Sequence, residues 1–148
     1  MNWTKSNSFK LSLILVEVTF LLLIGMLFLI PAAVCWYDAV SGLEPVKYFL
    51  GTILYISDLI AFVVIGALYR LLRNIEKHLV FIDQNATYLR IISWGLVAVS
   101  VLLLIFSFKR GTALILAFVM AFLGLILRVL KNVFEEAIAL QNEQDFTI

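Results

Sequence analysis

Apolar residues run almost unbroken through four stretches of the chain, residues 11–30, 48–69, 89–108 and 112–127, and the polar residues collect between them. At about 1.5 Å of rise per helical residue, each stretch crosses or nearly crosses the ~30 Å hydrocarbon layer of a bilayer. The pattern therefore predicts an all-α integral membrane protein, a four-helix bundle whose last span reaches about residue 130. Residues 131–148 follow as a helical tail.

The periodicity does not stop at the span ends. Leu68, Leu71, Leu72, Ile75 and Leu79 recur at helical spacing while Arg70, Arg73, Glu76 and Lys77 take the other face, so the second helix is predicted to continue past the membrane. Leu130, Val133, Phe134, Ala137, Ile138 and Gln141 trace a stripe with Lys131, Glu135 and Glu136 off it, and the fourth helix is predicted to do the same. Two such antiparallel extensions either bury their stripes against each other or offer a docking surface to another protein. Asp83 is placed as the N-cap of the third helix. In the first loop, residues 31–47, the turn signals Ser41-Gly42 and Glu44-Pro45 are expected to stop the first helix and reverse the chain.

Composition agrees with a bilayer as solvent. The chain is 64% hydrophobic, with a mean hydropathy of +1.08, and a water-soluble fold of this size would expose far more apolar surface than solubility allows. Its 148 residues suit one domain with no separate soluble part. Eleven basic residues against ten acidic ones give no basic surface for direct nucleic-acid binding, so any role at DNA needs a partner. Cys35 has no second cysteine to pair with, and His78 has too few companions for a metal site; no cofactor is expected. No Ser-His-Asp or Cys-His set and no phosphate-cradling glycine loop appears, so an enzyme is not expected. Lys5 and Lys10 before the first apolar run resemble a secretion signal. That run is longer than the ~7–15 residues of a signal core and contains Glu17, which predicts a retained helix. Val34 is too large for the position before a lipidated cysteine, and the sequon Asn85-Ala86-Thr87 reads as the start of a helix.

Orientation follows from the basic residues. With both termini cytoplasmic, that side holds Lys5, Lys10, Arg70, Arg73, Lys77, Arg90, Arg128 and Lys131, and the outside holds only Lys47, Lys109 and Arg110. This satisfies the positive-inside rule, with Lys109-Arg110 running against it. Trp36, Tyr37, Tyr48, Tyr69, Tyr88 and Trp94 lie near the predicted helix ends, where amphipathic rings favour the headgroup layer.

Charges inside the spans are the first functional candidates. A carboxylate at a helix centre costs roughly 2.5–3.5 kcal/mol on insertion scales, so it is normally paired, protonated or functional. Glu17 lies about 10 Å along the first span, and Arg128 on the fourth helix is the expected partner at its depth. Asp58 lies near the middle of the second span with no cation at its level. Ser57, Thr19, Ser93 and Ser100 offer hydroxyls, and a neutral, protonated Asp58 is the other choice. Gly66, Gly95, Gly111 and Gly124 allow close helix approach and leave room for a homo-oligomer, although no two form a GxxxG pair.

Two segments carry a resemblance. The closing run Phe134-Glu135-Glu136-Ala137-Ile138-Ala139-Leu140-Gln141-Asn142-Glu143-Gln144-Asp145-Phe146-Thr147-Ile148 is similar to the end of the domain-of-unknown-function 2975 family, small bacterial four-span membrane proteins. Phe81, Asp83, Asn85, Leu89 and Arg90 resemble the family's approach to its third span, with His78-Leu79-Val80 in place of the usual Gly-Asn-Pro-like turn. The resemblance implies a small helix-turn-helix regulator as a partner and brings no established activity. Both segments fall on the face assigned to the cytoplasm. The leading expectation is a membrane-embedded regulatory protein that binds and sequesters such a regulator in response to a membrane signal, with Asp58 as the sensing residue. Arg73, Lys77, Asp83, Asn85, Arg90, Glu135, Glu136, Glu143 and Asp145 are the candidate partner contacts. The alternative is a small transport, immunity or stress-related protein acting through the bundle interior, and a structural subunit of a larger assembly is the third.

Overall fold

The computed structural model describes residues 5–147; Ile148, the last residue of the tail motif, and the Lys5 side chain lie outside the described residues. Four helices fill the chain, α1 (Lys5–Ser41), α2 (Lys47–Glu76), α3 (Asp83–Ser107) and α4 (Ala113–Phe146), and the described residues hold no strand. Each helix contains a segment long and apolar enough to span a bilayer. The protein is an all-α, multi-pass membrane protein. Residue 5, the α2–α3 loop and residue 147 lie at one end, the terminal end, and the α1–α2 and α3–α4 loops lie at the other.

The first helix does not stop at Pro31. It runs through the proline to Ser41, which corrects the expected loop of residues 31–47. A helix-interior proline lacks an N–H and so frees the carbonyl four residues back, here that of Leu27. The Tyr55 hydroxyl on α2 donates to that oxygen at 3.4 Å, the kind of rescue by a neighbouring helix that lets membrane helices keep prolines. Gly42, at φ +61°, ends α1, as the Ser41-Gly42 turn signal predicts, in the left-handed conformation that glycine adopts without strain.

Asp38, in the last turn of α1, then starts α2. Its two carboxylate oxygens accept the backbone N–H groups of Val46 at 3.1 Å and Lys47 at 2.9 Å. A charge that the sequence places in a loop thus caps the next helix and complements the positive end of its dipole. Arg110, in the α3–α4 turn, reaches across to donate to the Glu44 carbonyl at 2.7 Å and lies over the Tyr37 ring. Of the basic pair that offends the charge rule, Arg110 therefore has a structural task, tying the two loops together.

At the terminal end α2 closes in a Schellman motif. The Leu79 N–H donates to the Asn74 carbonyl at 2.9 Å and the His78 N–H to that of Ile75 at 3.0 Å, with His78 itself left-handed at φ +62°. A histidine thus stands where glycine would sit more easily. Asp83 opens α3 but its side chain bonds no helix-end amide, so it is not the N-cap that the sequence suggests; Ile82 holds that position. Asp83 still lies in the first turn, where its charge suits the dipole.

Among the described residues α1 packs on α2, α2 on α3 and α3 on α4, while α1 and α4 do not meet. The bundle is open along that flank. One apolar core, Val46, Ile53, Phe106 and Ala113, lies at the loop end, and another, Ala67, Leu71, Leu89 and Ile92, lies toward the terminal end. The extensions of α2 and α4 do not bury their stripes directly against each other, because α3 stands between them. Phe134 and Leu127 of α4 pack instead on the core shared by α2 and α3.

The α3–α4 contact is the closest in register. Ser93 Oγ donates to the Gly124 carbonyl and Ser100 Oγ to that of Ala117, each at 2.8 Å, so serines seven residues apart on α3 meet small residues seven apart on α4. A Cβ on Gly124 would sit 3.0 Å from Val97 Cγ2 and 3.2 Å from the Ser93 carbonyl oxygen. Gly95 faces α2, where a Cβ would collide with the Val64 side chain. Small residues set how near these helices stand.

Candidate functional site

Between the two cores the middle of the bundle is not filled. A cavity of about 350 Å³ is lined by Leu23 and Met26 of α1, Ala61 and Val64 of α2, Leu96 of α3 and Met120 of α4, with Ser57 and Asp58 among the α2 residues that face it. The walls are almost wholly apolar.

Asp58 is 7% exposed. Its Oδ2 and the Oγ of neighbouring Ser57 are both buried without a hydrogen-bond partner. The hydroxyls expected to serve Asp58 are committed elsewhere: Ser93 and Ser100 to α4 carbonyls, and Thr19 to the Leu15 carbonyl at 2.7 Å. Helix geometry explains this, because a hydroxyl on a membrane helix finds a backbone carbonyl on its own or an adjacent helix as readily as a side chain on a neighbouring one. No lysine, arginine or histidine lines the cavity.

The expected Glu17–Arg128 pair does not form. α1 and α4 are not neighbours in contact, so a shared depth does not bring the two residues together. Glu17 borders a groove between α1 and α2 with Phe20, Ile65, Gly66 and Tyr69. Arg128 lies over the Trp94 ring, 4.9 Å from its centroid, a cation–π contact within one helix pair.

The residues proposed as partner contacts separate into three groups. Asn85 is wholly buried and belongs to the fold: it takes a hydrogen bond from Asn74 at 2.8 Å and donates to the Leu79 and Val80 carbonyls, both at 2.7 Å. That corrects its assignment as a surface contact, since an amide satisfied inside the α2–α3 loop has nothing to offer outside. Arg90 and Glu135 are engaged with each other at 2.9 Å, and Lys131 joins Glu135 at 3.1 Å. The hydrogen bonds from Lys131 and Arg90 hold the Glu135 carboxyl below its ordinary range. Arg73, Lys77, Asp83, Glu136, Glu143 and Asp145 are exposed, Arg73 lying over the Tyr69 ring at 5.8 Å. Sequence reading missed Asp38, Tyr55 and Arg110, whose roles rest on contacts between loops and helices distant in the chain.

The sequence of residues 38–148 matches the family model described as protein of unknown function, DUF2975. The chain belongs to this family. The DUF2975 match starts at Asp38, the residue that caps α2, and covers α2, α3 and α4 completely, including the Asp58 cavity wall and the α4 tail. No curated protein and no solved structure matches the chain.

Proposed function

We propose that this DUF2975 protein is a regulatory protein of the cell membrane, with both termini cytoplasmic, that binds a small helix-turn-helix transcription regulator and keeps it from DNA. One observation carries the reading. α4 is 34 residues long, about 51 Å, well beyond the ~30 Å hydrocarbon layer, and from Ala139 to Phe146 every residue is exposed. Glu143 and Asp145 on that segment, and Glu136 just before it, make no ion pair within the described residues. Acidic side chains on a protruding helix suit a basic DNA-binding surface, while the Arg90–Glu135–Lys131 cluster fixes the root of the helix to α3. The role is one of binding, not catalysis.

A pull-down of the solubilised protein from its native cells, with and without residues 141–148, tests this. The full chain is expected to recover a small helix-turn-helix protein and the truncated chain to lose it; recovery by both chains rules out the tail as the docking element. A second reading, transport, immunity or stress protection through the bundle interior, is favoured by the unpartnered Asp58 at the cavity. It expects Asp58→Asn to abolish function with the tail dispensable, the reverse order of severity.

A further inference from the structure

We infer that the cavity at Asp58 is a binding site for a lipophilic organic monocation, an ammonium or phosphonium centre carried on an apolar body, with the Asp58 carboxylate as its counter-ion. A binding site of this kind serves a signalling bundle or a transporting one equally, so it does not rest on the partner reading.

A buried carboxylate needs its charge balanced. In an apolar interior it is either neutralised by a proton or paired with a cation. The protein supplies no cation, since no basic side chain lines the cavity and Arg128 is held on Trp94. Any counter-ion comes from outside. A calcium or magnesium ion takes about six or more oxygen ligands, and the side-chain oxygens that line the cavity belong to Thr19, Ser57 and Asp58, too few for such a shell; no cluster of three or more His, Cys, Asp or Glu side chains that could hold a metal ion exists among the described residues. An organic cation makes no such demand. It needs one opposite charge and an apolar wall, and both are present.

Size and access agree. A cavity of about 350 Å³ falls in the range of small-molecule sites, which are mostly apolar with a few placed polar groups. Met26 and Met120 both line it, and unbranched thioethers adapt to guests of varied shape. The flank between α1 and α4 is not closed by helix contact, which gives a ligand dissolved in the bilayer a lateral route that avoids both polar ends.

Tritiated tetraphenylphosphonium and dodecyltrimethylammonium, measured by equilibrium binding to the purified full chain in detergent, test the site, with tetraphenylborate as a control of the same shape and opposite charge. At least one of the two cations is expected to bind saturably, and tetraphenylborate is not. Asp58→Asn is expected to weaken binding at least about tenfold, Asp58→Glu to retain it, and Leu23→Trp, which fills the cavity from α1 rather than from the helix that carries the carboxylate, to block it. Circular dichroism and gel filtration confirm that each variant is folded. Absence of saturable binding of both cations to the wild-type chain overturns the proposal and leaves Asp58 a protonated structural residue. Equal binding by Asp58→Asn, or equal binding of tetraphenylborate, also overturns it and makes the cavity a groove for lipid chains. The measurement uses the protein alone, so its failure is distinct from failure to capture a regulator.

Discussion

Asp38 shows how a single side chain can hold two helices in sequence. It lies on α1 but serves the first amides of α2, so Asp38→Ala is expected to lower stability by about 1–2 kcal/mol, seen as earlier thermal unfolding in detergent. His78 is the opposite case, a residue in a conformation that favours glycine. His78→Gly is expected to stabilise the chain by up to about 1 kcal/mol, because relief of left-handed strain outweighs the entropy of the new glycine; a lowered melting temperature contradicts this. At Glu135 the carboxyl is held below its ordinary range by Lys131 and Arg90. Its contribution to joining α3 and α4 is therefore present above the ordinary glutamate value and lost as pH falls through the depressed one. Glu135→Gln is expected to flatten stability across that acid window, read from melting curves at a series of pH values. Only the Lys131–Glu135 pair, at i,i+4 on one helix, has a local signature. Asp38, Tyr55 and Arg110 work across loops and helices, and a sequence read in windows sees each only as a polar residue near a helix end.

The helices themselves were legible, because four apolar runs separated by charge have one reading in a bilayer. Their ends were less so. Pro31 reads as a stop signal in water, yet α1 continues through it because Tyr55 reaches the freed carbonyl. Of the four glycines read as places of close approach, Gly95 and Gly124 are such places and Gly66 and Gly111 face open space, while the serines of the α3–α4 seam, Ser93 and Ser100 against Gly124 and Ala117, carry no such mark in the sequence. At Gly95 the neighbour is β-branched and stiff, so Gly95→Ala is expected to destabilise by about 1–3 kcal/mol. Val64→Ala in the same chain is expected to recover most of that loss, and a lack of recovery shows that the contact is not the cause.

Over the whole molecule, the sequence pointed to four helices with an acid at mid-span but not to the order in which they touch. Glu17 and Arg128 were matched by depth alone, and depth does not say which helices are neighbours. Asp58 was recognisable as an unpartnered acid; the cavity beside it was not, because an empty space follows from how all four helices meet. The placement of both termini in the cytoplasm is open to direct measurement through Cys35, the one cysteine in the sequence, which is exposed near the loop end of α1. A membrane-impermeant maleimide is expected to label it in intact cells. Labelling only after lysis reverses the orientation and puts the acidic tail on the outer face.

The seam between α3 and α4 also limits how movement can travel. With serines locked on α4 at two levels and Arg90 holding Glu135 beyond them, a piston stroke of α4 along α3 breaks all three fastenings at once, whereas tilting the pair as one lever breaks none. A push delivered at Met120 would then swing the far end of α4 sideways, and the sweep grows with distance along the shaft.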